Sequence, residues 1–185
     1  PLHFEFLKQI YECNWIILGD INQSLFKNLD DDYLQDVSKQ YNLGEIIYLN
    51  QSYRMTNQIS EFANSIKKID GLNFDRDGEQ VEFIESKDLI EVIKNSRFKT
   101  RAILCKDEIT ALDFYNKLKN EIDCSLNKFE NDKTLIANIN SVKGIEFDEV
   151  IIPNFETFDK SNKIDVNILY NIITRATNKL IVIKG

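Results

Sequence analysis

Glycine and proline are scarce in this chain of 185 residues, with 6 and 2 copies, and it holds one histidine, one tryptophan, one methionine and three cysteines. So little glycine and proline, with no low-complexity tract, excludes collagen-like, mucin-like and disordered classes. A single histidine, His3, and the lack of any Cys-x-x-C pair argue against a metal site. Cys13, Cys105 and Cys124 are odd in number, far apart and set among apolar residues, so they are expected as buried free thiols rather than a disulfide framework. No apolar run reaches the roughly 18 residues that a membrane-spanning helix needs, and Pro1-Leu2-His3-Phe4-Glu5 lacks the basic start and apolar stretch of a signal peptide. A cytoplasmic protein with no membrane partner is expected. Positive charge is also short: 23 basic against 30 acidic residues give a net charge of -7, the wrong sign for an autonomous module that binds nucleic acid by neutralising phosphates. The missing initial methionine points to a piece of a longer chain.

What is present is an alternation of short β-branched runs with segments of helical period, the pattern of an α/β parallel sheet. Strands are expected at Asn14 to Leu18, Glu45 to Leu49, Gln80 to Ile84, Arg101 to Cys105, Thr134 to Ile139, Glu149 to Pro153 and Lys179 to Ile183. Ile59, Phe62, Ala63 and Ile66 form a helical stripe with Thr56 placed to cap it. Leu112, Tyr115, Leu118 and Ile122 form a second stripe, and Val166, Leu169, Tyr170 and Ile173 a third. The Asp/Lys/Asn-rich stretches Leu29 to Gln40 and Asp70 to Gly78 read as linker and surface loop.

In open parallel sheets ligands bind beyond the carboxyl ends of strands, and four segments stand out on that criterion. Trp15-Ile16-Ile17-Leu18-Gly19-Asp20-Ile21-Asn22-Gln23-Ser24 delivers Gly-Asp to a strand tip and then Gln23, an amide that can both donate to and accept from a water or phosphate oxygen. Alone it is also an ordinary turn. Leu49-Asn50-Gln51-Ser52-Tyr53-Arg54-Met55-Thr56 sets an aromatic ring and a guanidinium directly after a strand, which suits stacking on a base and clamping of a phosphate. A tyrosine on the core beside a solvated arginine would give the same letters. In Ser141-Val142-Lys143-Gly144-Ile145-Glu146-Phe147-Asp148, Gly144 allows close backbone approach and Glu146 can accept from a ribose hydroxyl; a surface Lys-Gly turn is the alternative. In Leu169-Tyr170-Asn171-Ile172-Ile173-Thr174-Arg175-Ala176, helical geometry turns Arg175 away from the Val166 stripe, on the side of Ile168 and Ile172. That helix is expected to have two packing partners, with Arg175 aimed into the seam.

Together and in this order, the four segments resemble the later motifs of superfamily 1 helicases of the UvrD/Rep type: Gly-Asp-x-x-Gln-Ser, Tyr-Arg-x-Thr, Lys-Gly-Ile-Glu-Phe-Asp-x-Val and Tyr-x-x-Ile-Thr-Arg-Ala. The resemblance runs from about Asn14 to Ile183. It implies a RecA-like parallel sheet flanked by helices, of the P-loop NTPase type, serving as the second motor domain of a helicase. Residues 1–44 would be the tail of the first RecA-like domain and a linker, and residues 45–185 the second domain. The resemblance further implies that Gln23 senses the γ-phosphate or its attacking water, with Asp20 orienting that loop. Tyr53 would stack on adenine, Arg54 and Arg175 would stabilise charge on the γ-phosphate, and Glu146 with the Gly144 backbone would hold the ribose or link the nucleotide to the nucleic-acid track. ATP with Mg²⁺ is the implied cofactor, and single-stranded DNA and an upstream RecA-like domain of the same chain are the implied partners.

The sequence departs from the family in two places. Asn140 stands where the family usually has a histidine, three residues before Lys143. Only 88 residues separate Arg54 from Lys143, too few for the large subdomain that classical members insert there, which favours a compact, HelD-like relative acting on RNA polymerase. Six scattered glycines cannot form a Gly-x-x-x-x-Gly-Lys-Ser/Thr phosphate loop, so the phosphate loop and the Mg²⁺ ligands are expected upstream. Asp107-Glu108 reads as a helix start, where acidic residues complement the dipole. Two alternatives stay open: a motor ATPase that remodels a protein partner such as RNA polymerase, and a non-catalytic interaction domain that keeps the fold.

Overall fold

The computed structural model describes residues 5–6, 9–10, 16–24, 31–49, 51–69, 73–74 and 76–184. Contacts divide the chain into two compact units, Pro1–Ile21 with Leu29–Tyr48, and Asn22–Asn28 with Leu49–Gly185.

In the first unit the stretch expected as a linker is a helix, α1 (Asp31–Tyr41). Leu34, Val37, Ser38 and Tyr41 recur at helical spacing among the acidic residues, and Tyr41 is buried. The helix stops where Asn42 turns left-handed, with φ 49°. Asn42 N–H then donates to the Lys39 carbonyl and Leu43 N–H to the Ser38 carbonyl, the paired bonds that close a helix end. The two strands expected early in the chain do not form. Residues 16–20 and 43–49 have no regular structure, and Ile16, Leu18, Ile47 and Leu49 are more than three-quarters exposed. Among the described residues these runs pair with no other strand, so their β-branched character has no ladder to join. Asn14 and Trp15 lie outside the described residues.

The second unit is built on six parallel strands: β1 (Glu82–Glu85), β2 (Arg101–Cys105), β3 (Cys124–Leu126), β4 (Thr134–Asn138), β5 (Phe147–Ile152) and β6 (Ala176–Lys184), in the order β1-β6-β5-β2-β4-β3. The α/β parallel sheet read from the sequence is therefore present. Its helices are α2 (Asn57–Ile66), α3 (Leu89–Asn95), α4 (Glu108–Leu118) and α5 (Lys163–Ile173). Alternation along the strands divides the core in two. Val150, Ile152, Leu180 and Val182 pack on one face with Ile59 and Ala63 of α2 and Leu169, Ile172 and Ile173 of α5. Ile151, Ile181 and Ile183 pack on the other with Leu89 and Ile93 of α3 and Ala111 and Leu118 of α4. Each fully buried Ile or Leu contributes about 1.5–3 kcal/mol, so the two faces jointly hold the sheet.

Helix starts follow the sequence closely. Thr56 caps α2 by accepting from Ile59 N–H, and Asp107 caps α4 by accepting from Thr110 N–H at 2.8 Å. Of the expected α4 stripe, Tyr115, Leu118 and Ile122 pack on the core, but Ala111 takes the place of Leu112, which is 47% exposed. The helix ends at Leu118, so Ile122 lies beyond it. Cys105 is buried and free, and burial pushes its thiol up to about 12. Cys124 is free but only half-buried; Cys13 and His3 lie outside the described residues. Within the expected 70–78 loop, residues 73–74 pair with 51–52 as a short parallel ladder, and residues 76–78 close over the start of α2. There Asn57 N–H donates to the Arg76 carbonyl at 2.7 Å, and Gly78 N–H donates to Gln58 Oε1 at 2.7 Å.

Candidate functional site

Strand β4 ends at Asn138, whose Oδ1 accepts from Asn140 N–H at 2.9 Å and Ser141 N–H at 3.2 Å, starting the tight turn Ile139–Val142. Val142 and Ile139 are buried and anchor that turn, while Asn140 is exposed. Gly144 follows with φ +83°, a left-handed conformation that costs an L-residue free energy and glycine none. This reversal leads the chain back so that Glu146 immediately precedes β5.

Arg175 immediately precedes β6, and Phe147 N–H donates to its carbonyl at 2.9 Å. Because Phe147 pairs with Ala176, Glu146 and Arg175 are held side by side at the amino ends of two adjacent strands. The expectation that the motif residues follow strands holds for Tyr53 and Arg54, after residues 51–52, and for Ser141 to Gly144, after β4, but Glu146 and Arg175 stand instead at the amino ends of β5 and β6. Helix α5 also ends earlier than the helical wheel assumed, at Ile173 with Thr174 as its cap. It is buried nearly all round, from Asp165 to Ile173, as expected for a helix with two packing partners.

The side chains of Gln23, Arg54, Glu146 and Arg175, all chosen from the sequence, meet at this edge. Arg54 Nε lies 2.7 Å from Glu146 Oε1, and its Nη1 donates to the Thr174 carbonyl at 3.4 Å. Arg175 is 3% exposed. Its Nε donates to the Asn171 carbonyl at 3.3 Å, its Nη1 to the Ile145 carbonyl at 3.4 Å and its Nη2 to Gln23 Oε1. The Arg54 side chain is a third exposed, whereas that of Arg175 is buried. Tyr53 presents its ring to solvent at 74% exposure, and Gly144 leaves open space on the side where a Cβ would stand. Asp20 is exposed. Two residues that sequence reasoning passed over complete the frame. Arg76 donates to the Arg54 carbonyl at 2.8 Å, to Asn178 Oδ1 at 3.0 Å and to the Thr177 carbonyl, tying the Tyr53–Arg54 segment to β6. Asn171 receives Arg175 on its carbonyl and donates its own amide to the Asn167 carbonyl at 2.8 Å. Asn171 sat inside a recognised segment, but Arg76 carried no signal, standing in an Asp/Gly-rich stretch.

Chemically this edge offers two guanidinium groups, a carboxylate, an amide, an exposed aromatic face and an open backbone, the donors and acceptors that suit a phosphorylated, aromatic ligand. Among the described residues no three His, Cys, Asp or Glu side chains come together as ligands.

Residues 134–183 match the UvrD-like helicase C-terminal domain family, so the stretch holding β4, β5, α5 and β6 resembles that domain in sequence as well as in fold. Gly144, Glu146 and Arg175 lie inside the match, and Gln23, Tyr53 and Arg54 outside it. The chain is similar in fold to the C-terminal domain of a possible DNA helicase from Lactobacillus plantarum WCFS1, with a TM-score of 0.57 and 23% identity over 71% of this chain and 86% of that one. An arterivirus helicase, nonstructural protein 10, gives a TM-score of 0.40 and 9% identity, over 84% of this chain and 29% of that one. No curated protein matches. Among the described residues no helix is long and apolar enough to cross a membrane.

Proposed function

We propose that this chain acts as the second, C-terminal motor lobe of an ATP-dependent superfamily 1 DNA helicase or translocase, supplying cations and nucleotide contacts to an ATP site completed by an upstream RecA-like domain. The observation that carries the reading is the convergence of Gln23, Arg54, Glu146 and Arg175, far apart in sequence, at one edge of the sheet. Phosphoryl transfer needs positioned positive charge more than covalent chemistry. Arg175, locked by three oxygen acceptors, supplies such charge without reorganisation. Arg54, tethered to Glu146, can swing. On this reading the Tyr53 ring stacks on the adenine, and Glu146 with the Gly144 backbone meets the ribose. The upstream domain would hold Mg²⁺, which would supply neutralisation of phosphate charge there. Closure of two lobes on the nucleotide then couples hydrolysis to movement along single-stranded DNA. A motor that remodels a protein partner such as RNA polymerase is the second reading, favoured by the net charge of -7.

The test compares two proteins. The 185-residue chain alone is expected to show no ATP turnover with or without single-stranded DNA. In the longer protein that includes the upstream domain, Arg175→Ala is expected to lower kcat by about 10³-fold or more, the usual worth of an arginine at the γ-phosphate. Turnover by the isolated chain that Arg175→Ala removes would overturn the reading. Strand displacement against release of stalled polymerase separates the two readings.

A further inference from the structure

Strands β5 and β6 slip by one residue beside the candidate site. Phe147 pairs with Ala176 but Glu149 with Lys179, so Asp148 alone faces both Thr177 and Asn178. Such a bulge re-aims the side chains around it, and between parallel strands it is rare. Asp148 belongs to the motif segment that carries Gly144 and Glu146, and both oxygens of its carboxylate are engaged at the bulge. Oδ2 accepts from Thr100 Oγ1 at 2.6 Å and from Thr100 N–H at 3.3 Å, and Oδ1 accepts from Asn178 Nδ2 at 2.8 Å.

An ionised carboxylate can only accept, so Asp148 settles which way the Asn178 amide points. The amide nitrogen faces Asp148 and, at 3.2 Å, Thr177 Oγ1, and the amide oxygen is left to accept from Arg76 Nη1 at 3.0 Å. Nη2 of the same guanidinium donates to the Thr177 carbonyl and, at 2.8 Å, to the Arg54 carbonyl. Arg76 is itself anchored from behind, at the start of α2. Its carbonyl accepts from Asn57 N–H at 2.7 Å, and the next residue, Asp77, accepts from Asn57 Nδ2 at 2.8 Å. The Arg54 side chain does not fix its own root. Its pair with Glu146 is partly exposed and screened by solvent, and the ladder that precedes it is two residues long.

We propose that Arg76 is a positioning residue for the nucleotide site: the chain Asp148–Asn178–Arg76, built on the bulge, fixes the backbone at Arg54 so that its guanidinium starts against Glu146. The inference rests on the proposed reading of Arg54 as a phosphate contact. The three acceptors of Arg76 are neutral oxygens on two separate segments, and only a fork of N–H groups spans them; a lysine ammonium in the same place does not. A misplacement of about 1 Å at a group that meets the reacting atoms can cost about 10²-fold in rate. Arg76 therefore governs turnover through Arg54 without touching the ligand, and Asp148 gives its motif segment a second task beside that of Glu146.

Two measurements separate the positioning from the nucleotide reading. In the ¹⁵N-labelled 185-residue chain the Arg54 Nε–H signal reports the pair with Glu146. Glu146→Gln should shift it, Arg76→Met should shift it in the same direction, and Asn178→Ala should do so by a smaller amount even if Arg76→Met misfolds. Arg76→Lys, which keeps a donor but not the fork, should bring back part of the shift. Arg97→Gln, which removes a guanidinium from an exposed pair elsewhere, should leave the signal in place. In a protein that includes an upstream motor domain, Arg76→Met should lower kcat/KM for ATP about tenfold, but by about twofold or less when Arg54→Met is already present, because both changes act through one guanidinium. An Arg54 signal unmoved by both Arg76→Met and Asn178→Ala, or losses of turnover that multiply in the double variant, would overturn the proposal and leave Arg76 a structural tie. Turnover unchanged by Arg54→Met, with the Nε–H signal moving as expected, would overturn the nucleotide reading instead and leave the positioning of Arg54 standing.

Discussion

Replacing Gly144 by alanine isolates backbone conformation from packing at the centre of the Lys143-Gly144-Ile145-Glu146 segment. Gly144 has φ +83°, and a Cβ built on it meets no atom within 4 Å. No neighbour has to move, so the cost is conformational alone. Holding an L-residue in the left-handed region costs about 1–2 kcal/mol. The unfolded alanine chain has less entropy to lose than the glycine chain, which returns about 0.4–1 kcal/mol. The net destabilisation is about 1 kcal/mol, a fall in Tm of roughly 2–4 °C for a chain of this length. Gly144→Asn should recover part of that, because asparagine tolerates the left-handed region. Gly78 is the opposite control. Its φ is not positive, but a Cβ there would stand 2.3 Å from Thr56 Cγ2, so Gly78→Ala must displace the residue that caps α2. Urea unfolding followed by circular dichroism reads all three variants as midpoint shifts at constant slope. A Gly144→Ala chain as stable as the parent, or an asparagine variant no better than the alanine one, would refute the conformational account.

Two further outcomes follow from charges. The Arg54–Glu146 pair spans 2.7 Å with side chains 32% and 44% exposed, and solvent screening holds such a pair below about 1 kcal/mol. Arg54→Met and Glu146→Gln should therefore scarcely move the urea midpoint while, on the proposed reading, sharply reducing ATP turnover of a protein that includes an upstream motor domain; a stability loss of several kcal/mol would make the pair a structural tie instead. Glu149 has its pKa raised by burial, so the folded chain keeps a proton that the unfolded chain releases above about pH 4.3. Stability then falls as pH rises from that value through the raised folded pKa. Glu149→Gln should be the more stable protein at neutral pH, with the gap closing on acidification below about pH 4. A gap independent of pH in urea titrations would contradict the assignment.

The parts of the fold that were legible in the sequence are those whose local pattern and tertiary use agree. Ala102 to Cys105 is apolar and buried because β2 lies inside the sheet, and the strand Arg101 to Cys105 is legible residue for residue. Thr56 and Asp107 cap helices because their oxygens reach N–H groups three residues on, a purely local relation. Legibility failed where the outcome rests on distant partners. Residues 16–18 and 45–49 have strand composition but find no strand to pair with among the described residues. The Asp31–Tyr41 helix hid its narrow stripe among acidic residues. At the candidate site the sequence pointed to Gln23, Arg54, Glu146 and Arg175 and the structure brings them together, but it could not point to Arg76, whose part comes wholly from where the 76–78 segment lands. Nor could it predict the edge. Glu146 and Arg175 are neighbours because Phe147 pairs with Ala176, and a pairing register is not written in either strand alone.

The two arginines are held in opposite ways, and on the proposed reading that difference has a use. Arg175 is buried, with each nitrogen directed by an oxygen that α5, the 145 turn or Gln23 holds in place. Its orientation is settled on folding, as preorganised charge stabilisation requires. Arg54 is bound to Glu146 by a pair that solvent weakens, so turning its guanidinium toward a phosphate costs little. That same movement frees the Glu146 carboxylate, which can then accept from a ribose hydroxyl. On that reading one ligand gains two contacts for the loss of one screened ion pair, so the phosphate and ribose ends of a nucleotide both favour the opening of the Arg54–Glu146 pair while Arg175 stays where folding put it.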